Sequence, residues 1–180
     1  MASKKKNAVR GEPVESIAVV MGSDSDMDVM QSCIEQLGEF GIKPVVRVIS
    51  AHRTPEIAAE FAENAVENGI KVIIAAAGMA AHLAGALAAK TILPVIGVPL
   101  ISSSGLEGID AFLSTAQMPP GVPVATVAIG KAGAKNAAIL AVQILALSDN
   151  GLAKKLVEFK KAQAKKVIEK NSALRSRNVS

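Results

Sequence analysis

The segment Ser50–Pro55 (SAHRTP) places a histidine beside an arginine, directly after an apolar run at residues 44–49 that predicts a buried β-strand. The Thr-Pro pair at its end predicts a helix start, because threonine caps free N–H groups and proline suits the first helical position. His52 and Arg53 are therefore expected in a strand-to-helix turn, beside the positive end of a helix dipole. A group that titrates near neutral pH next to an anion-binding group indicates acid–base chemistry on a phosphorylated substrate.

A second polar loop, Gly22–Asp26 (GSDSD), follows the apolar run Ser16–Met21. The hydroxyls of Ser23 and Ser25, with the free N–H groups of the next helix, suit a phosphate, and the Asp26 carboxylate suits the hydroxyls of a ribose. The alternative is that Ser25 and Asp26 only cap that helix. The loop is neither a G-x-G-x-x-G motif nor a P-loop, so it does not predict NAD, FAD or ATP binding.

Other candidate residues also have a purely structural interpretation. His82 stands at the start of an alanine-rich segment, and its position favours a histidine satisfied by backbone over a group that supports the site. Likewise, Arg53 could form a surface ion pair, and His52 could be structural. The region Ser102–Met118, rich in serine and glycine at its start, is either a lid over the site or an ordinary excursion between strands.

Apolar runs alternate with helical patterns about five times along the chain. The runs are uniformly apolar, as expected for parallel strands covered on both faces. The predicted fold class is therefore α/β: a three-layer α/β/α sandwich with a doubly wound parallel sheet, flavodoxin-like or Rossmann-like, and an extra C-terminal helix. The predicted strands are residues 16–21, 45–49, 72–76, 95–98 and 124–129, and the main predicted helices are residues 27–40, 55–68, 109–114, 134–147 and 152–171.

A length of 180 residues predicts one domain with a sizeable core. We expect a disordered N-terminal tail at 1–14, a single α/β domain at 15–171 and a disordered tail at 172–180. The last helix, 152–171, is amphipathic, and it packs either on its own domain or, with a slight preference, on a neighbouring subunit. Its predicted apolar face comprises Leu152, Leu156, Phe159, Gln163 and Val167.

Composition excludes several classes of function. Only 2% of the residues are aromatic, which argues against stacking on single-stranded nucleic acid. The net charge of +4 comes largely from Lys4–Lys6 and Lys154–Lys170, which fit a frayed terminus and a solvated helix better than a nucleic-acid or membrane patch. The single cysteine, Cys33, at a helical core position, and two distant histidines form no zinc-type cluster.

The apolar stretch Val72–Leu100 is long enough to span a bilayer, but glycines and prolines punctuate it. Two buried parallel strands around a short helix explain it better. The N-terminal lysines precede no apolar core, so they do not predict a secretory signal. With one cysteine, these features predict a cytoplasmic protein without a membrane segment.

Four polar or glycine-containing loops follow the predicted strands, and ligands bind beyond the carboxyl ends of the strands in an open parallel sheet. The loops are Gly22–Asp26, Ser50–Thr54, Ala77–His82 and Ser102–Gly105. We therefore expect them to converge on one site. The predicted substrate-binding residues accordingly include Gly78, Met79 and His82 from the third loop.

Several motifs follow one another in an order typical of one enzyme family. They are GSxSD at 22–26, SAHRTP at 50–55, AAHL at 80–83 and QMPxGVPVATVAIG at 117–130. With them, most of the chain, from Ile17 to Leu147, resembles the N5-carboxyaminoimidazole ribonucleotide mutase family of purine biosynthesis, in its class I form of bacteria and plants. The chain departs from the family pattern at Ala76, Met79 and Ala84, where the family usually has Gly, Gly and Pro, and Met79 would narrow the floor of the base pocket.

The resemblance implies an isomerase of de novo purine biosynthesis that moves a carboxylate from the exocyclic amine of an aminoimidazole ribonucleotide to the ring carbon C4. It implies His52 at the base as the catalytic residue and the phosphate at Ser25, Ser50 and Arg53. Ser23 and Asp26 are implied around the phosphate and ribose. The resemblance further implies no metal, biotin or ATP, and a homo-octamer with fourfold symmetry whose sites form where subunits meet.

Two alternatives remain open at this point. One is a class II-type enzyme that carboxylates aminoimidazole ribonucleotide directly with CO2. The other is a non-catalytic nucleotide-binding module, which a flavodoxin-like sheet alone would permit.

Overall fold

The computed structural model describes residues 16–177, which form five parallel strands between two layers of helices. The strands are β1 (Ile17–Met21), β2 (Val45–Val48), β3 (Val72–Gly78), β4 (Val95–Leu100) and β5 (Ala125–Thr126), in the spatial order β2-β1-β3-β4-β5. The helices are α1 (Met27–Glu39), α2 (Pro55–Asn64), α3 (Leu83–Ala88), α4 (Ile109–Ala116), α5 (Gly130–Ala146) and α6 (Asn150–Arg177), and a short 3₁₀ turn (Asp24–Asp26) precedes α1. This arrangement confirms the predicted α/β sandwich.

The core lies on both faces of the central strands, because β1, β3 and β4 have a neighbour on each side and helices above and below. On one face α1 and α5 pack against side chains such as Val19 and Ile74. On the other, α2 and α3 pack against side chains such as Val20 and Ile73. Many of the buried residues of α2 and α5 are alanines, and these short side chains let the two helices lie close to the sheet.

The second strand was predicted to be buried, but it is only partly buried. Residues of β2 are half-buried or exposed, with Arg47 and Val48 exposed, because β2 is an edge strand that pairs only with β1. The fifth strand is also an edge and is shorter than predicted. Its ladder joins Ala125 and Thr126 to β4, and α5 already begins at Gly130.

The first part of α6 packs on its own domain. The Asp149 carboxylate accepts the N–H groups of Gly151 and Leu152 at 2.8 and 3.0 Å, which caps the start of the helix. Phe159 lies against Phe40 with ring centroids 5.4 Å apart, and the Lys155 ammonium donates to the Phe40 carbonyl at 2.6 Å.

The rest of α6 extends away from the domain. Gln163 and Val167, predicted to share the packed face, are exposed, so the predicted apolar face is divided between a packed and an exposed part. The helix continues to Arg177, so the prediction of a disordered tail is wrong for residues 172–177. The helix-forming composition of this end, with alanine, leucine and arginine, explains the continuation. Residues 178–180 and the predicted tail at 1–14 lie outside the described residues. Within residues 16–177, no helix has both the length and the apolar character needed to cross a bilayer.

Candidate active site

A cavity of about 630 Å³ lies at the carboxyl edge of the sheet. Residues from the loops after β1, β2, β3 and β4 line it, as expected where parallel strands end at one edge. All of the predicted site residues line this cavity: Ser23, Ser25, Asp26, Ser50, His52, Arg53, Gly78, Met79 and His82. The sequence therefore located the cavity, and the roles of its residues remain predictions.

The loop after β1 is closed by a reciprocal cap. The Ser23 hydroxyl accepts the N–H of Ser25 at 3.4 Å, and the Asp26 carboxylate accepts the N–H of Ser23 at 3.0 Å. Capping therefore involves Ser23 and Asp26, whereas Ser25 is exposed at the cavity and its hydroxyl donates to the Ser23 hydroxyl at 2.9 Å. Burial raises the pKa of the Asp26 carboxyl above its ordinary value, Asp24 adds to the rise, and backbone N–H bonds from Ser23 and Gly22 oppose it.

The turn after β2 is held by its own hydroxyl groups. The Ser50 hydroxyl accepts the backbone N–H of Arg53 at 3.2 Å and the Nε–H of its guanidinium at 3.4 Å. The Thr54 hydroxyl donates to the Ser50 carbonyl and accepts the Ser50 N–H, both at 3.0 Å. Both ends of the turn are thus tied to each other, and Arg53 is held beside a hydroxyl group.

The Thr54 hydroxyl does not cap α2, contrary to the prediction. Thr54 occupies the position before the helix and Pro55 is the first helical residue, as expected, but no side chain bonds to the free N–H groups of α2. The hydroxyl is instead used inside the turn. The first N–H groups of α2 therefore have no side-chain cap, and no residue of α2 lines the cavity.

The two histidines of the chain lie in contact. His52 Nε2 and His82 Nδ1 are 2.7 Å apart, and the rings meet edge to face with centroids 4.9 Å apart. Both side chains are exposed, so the interpretation of His82 as a buried structural histidine is wrong. The pair uses one nitrogen of each ring, which leaves His52 Nδ1 and His82 Nε2 for other partners. The loops that carry them were expected to converge, but the direct contact of the two rings was not predicted, because 30 positions separate them.

The loop after β3 supplies the least polar wall of the cavity. Gly78 ends β3 so close to the end of β4 that an added Cβ would lie 3.3 Å from the Leu100 carbonyl oxygen and 3.4 Å from Ser102 Cβ. Met79 follows with a φ of 54°, in the left-handed region. Two short hydrogen-bonded turns then lead to His82. The N–H of Ala81 donates to the Met79 carbonyl at 2.8 Å, and the N–H of His82 donates to the Ala80 carbonyl at 2.7 Å.

The predicted lid contributes little to the cavity. Of the region Ser102–Met118, only Ser102 and Ser103 line it, and residues 109–116 form α4, whose Ala111 and Thr115 are buried. Ile101 and Leu83 also line the cavity and were missed. Ile101 follows the apolar run of β4 and Leu83 begins α3, and sequence patterns assign such apolar residues to the core.

Neither a metal site nor a reactive thiol accompanies the histidine pair. Across residues 16–177, no three His, Cys, Asp or Glu side chains form a group that could hold a metal ion. Cys33 is fully buried in the core, and burial raises its pKa to about 12. As predicted, Cys33 is a core residue and not a nucleophile, since the thiolate is the reactive form.

The cavity and its residues can be compared with known proteins. A family model described as AIR carboxylase matches residues 16–166. The chain is 53% identical over 153 residues to a protein of Escherichia coli (strain K12) named N5-carboxyaminoimidazole ribonucleotide mutase, covering 85% of this chain and 90% of that protein. It is 52% identical over 158 residues to the protein of the same name from Pyrococcus horikoshii, with 88% of each covered.

The fold has a close match among solved structures. The crystal structure of Treponema denticola PurE aligns with a TM-score of 0.79 and 31% sequence identity, and the match covers 88% of this chain and 97% of that chain. The family model and the relatives span both the histidine pair and the two polar loops. The chain therefore belongs to the AIR carboxylase family.

Proposed function

We propose that this protein converts N5-carboxyaminoimidazole ribonucleotide into 4-carboxy-5-aminoimidazole ribonucleotide, an isomerisation in de novo purine biosynthesis. The observation that carries the proposal is the His52–His82 contact of 2.7 Å in a cavity that Arg53 and five serines also line. The relatives named as this mutase support it, because they match the chain over almost their whole length.

The polar end of the cavity suits a ribose phosphate. Arg53 supplies a fixed charge, and Ser25 and Ser50 supply hydroxyl groups. Ser23 and Asp26 lie beside them, where the carboxylate can accept ribose hydroxyls. The cavity of about 630 Å³ is within the usual size range of small-molecule sites.

The chemistry requires one proton to be given and one to be taken. When the carbamate C–N bond breaks, its electron pair returns to nitrogen, which takes a proton, and CO2 is released. Carbon C4 of the electron-rich imidazole then attacks CO2 to form the new C–C bond, and loss of the C4 proton restores the aromatic ring. The net proton change is zero, so a single group near neutral pH serves both transfers.

His52 is that group in this proposal, and His82 is its positioning residue. In this proposal the Nε2–H of His52 donates to His82 Nδ1, because that tautomer leaves His52 Nδ1 free to accept a proton. His52 Nδ1 is then the nitrogen that faces a substrate. The step needs no oxidant, activated phosphate or carboxyl carrier, because its atoms and electrons balance without one.

Exposed apolar side chains support the further proposal of a homo-octamer. Ile101, Leu106 and Ile109 lie near the cavity and are 63%, 71% and 58% exposed. The second half of α6 adds Val167, Ile168 and Leu174, also exposed. Contacts between copies would bury both groups. Eight copies of an 18.5 kDa chain are expected in sedimentation equilibrium, and a stable monomer would contradict the assembly. We place this assembly in the cytoplasm, with the ribonucleotide as its small-molecule ligand and no nucleic-acid or membrane partner.

The decisive experiment supplies each possible substrate separately. We expect efficient product formation from N5-carboxyaminoimidazole ribonucleotide, and little from aminoimidazole ribonucleotide with bicarbonate. Efficient turnover only of the second mixture would instead make the protein a direct carboxylase. Binding of the product nucleotide without turnover of either substrate would make it a nucleotide-binding module.

A further inference from the structure

Met79 holds a backbone conformation that residues with side chains rarely adopt. Its φ is 54°, and among residues 16–177 only Glu107, with a φ of 52°, is another non-glycine residue in this left-handed region. The conformation is unfavourable for a residue with a Cβ, and such strain is found most often at functional sites. A glycine would make the same turn without strain. The turn itself therefore does not require the Met79 side chain, and this side chain is expected to act in the cavity.

The position of the turn follows from the packing of β3. Gly78 has its backbone against Leu100 and Ser102, so the chain changes direction at the next residue. The turn leads directly to His82 and its contact with His52. Whatever stands at residue 79 is thus held close to the histidine pair.

Met79 also has the one long side chain in residues 75–81, because the remaining six residues are all alanine or glycine. It lines the cavity and is 48% exposed, which puts it at the rim and not in the core. A methionine side chain is flexible, apolar and polarizable, so it adapts to a planar heterocycle and repels water.

We propose that the Met79 side chain closes the cavity over the reacting base and retains the CO2 released there, an inference that rests on the proposed function. CO2 has no charge by which a side chain could hold it, so only the cavity walls keep it near C4. If CO2 leaves before C4 attacks, the carbamate has been converted into aminoimidazole ribonucleotide and free CO2, and no isomerised product forms. A wall without the Met79 arm leaves a gap of several atoms beside the base.

The experiment compares Met79→Gly with Glu107→Gly, a matched control that relieves the same kind of strain outside the cavity lining. With the carbamate as substrate, released aminoimidazole ribonucleotide and isomerised product are measured separately, after subtraction of the enzyme-free breakdown. Met79→Gly should raise the ratio of released to isomerised nucleotide about tenfold, as for loss of an apolar pocket group. Glu107→Gly should leave the ratio unchanged, and both variants should have a higher Tm.

A third variant, Met79→Leu, keeps an apolar arm and should hold the ratio near that of the unsubstituted protein. The inference is overturned if Met79→Gly does not change the ratio, or if Glu107→Gly changes it equally. A lower oligomer mass for Met79→Gly with an unchanged ratio would assign the side chain to a contact between copies and also overturn it. Failure of the unsubstituted protein to isomerise the carbamate would instead contradict the proposed function.

Discussion

Two turns bring a histidine to the same cavity, and they are built differently. The turn at residues 50–54 is held by side chains, since the hydroxyls of Ser50 and Thr54 bond to backbone groups within it. The turn at residues 79–82 is held by backbone, through the left-handed Met79 and two short hydrogen-bonded turns. The first turn gives the cavity a polar end, and the second gives it an apolar wall. In the proposed function, phosphate binding and the exclusion of water thus belong to loops that follow different strands.

The strongest test of this comparison removes the proton-transfer group from the polar turn. His52→Gln keeps a side chain of similar size but cannot exchange a proton near neutral pH, so we expect turnover to fall about 1000-fold. Binding of the product nucleotide should persist, because the phosphate contacts are untouched. Turnover and binding are measured by steady-state kinetics and calorimetry. Normal turnover by this variant would exclude His52 as the proton shuttle.

The second test substitutes His82, the histidine of the turn at residues 79–82. His82→Asn removes the ring that fixes the His52 tautomer, and we expect kcat to fall about 100-fold, the lower end of an acid–base contribution. KM should change little, and the pH profile of kcat should shift, because the group facing His52 has changed. A loss confined to KM would mean that His82 binds substrate and does not position His52.

The third test separates binding from chemistry at the polar turn. Arg53→Ala should weaken nucleotide binding by about 2 kcal/mol or more, about 30-fold, for a lost charge-assisted contact. Arg47→Ala is the matched control, since Arg47 is exposed on β2, does not line the cavity and donates to the Val46 carbonyl at 3.1 Å. Equal affinities of the two variants for the nucleotide would mean that Arg53 does not bind the phosphate.

The smallest expected effect concerns the carboxyl group at the polar end. Burial raises the pKa of Asp26 above 3.8, so the folded protein binds this proton more tightly than the unfolded chain. The contribution of Asp26 to stability is then fully present below pH 3.8 and declines as the pH rises through the raised pKa. Urea unfolding at several pH values should show that the unsubstituted protein loses stability relative to Asp26→Asn over this window. A relative gain would mean that the N–H bonds outweigh burial.

The sequence predicts the sheet and the cavity because both depend on local patterns. Uniform apolar runs mark the strands, and polar loops at their carboxyl ends must meet in a parallel sheet. The histidine contact depends on strand order, which no local pattern encodes. His52 follows β2 and His82 precedes α3 after β3, and these strands lie on either side of β1. The pair could not be predicted without that order.

Other differences have equally specific causes. The Val45–Val48 strand is apolar in sequence except for Arg47, and its exposure is set by its place at the edge of the sheet. The end of α6 is polar enough to resemble a tail, yet Ala173, Leu174 and two arginines favour a continued helix. The hydroxyl of Thr54 can bond either the free N–H groups of α2 or the backbone of Ser50. In the folded turn it bonds the backbone of Ser50.

The central position of β1 has a consequence for residues far from the cavity. Met21 is aligned with Val48 of β2 on one side and with Ala76 of β3 on the other, so β1 sets how far each flanking strand extends. Sliding either strand by one residue would displace its following turn by about 3.3 Å, more than the 2.7 Å that joins the rings. The interior of the sheet thus sets the separation of the two histidines, and in the proposed function repacking beneath β1 should lower the reaction rate before it affects folding.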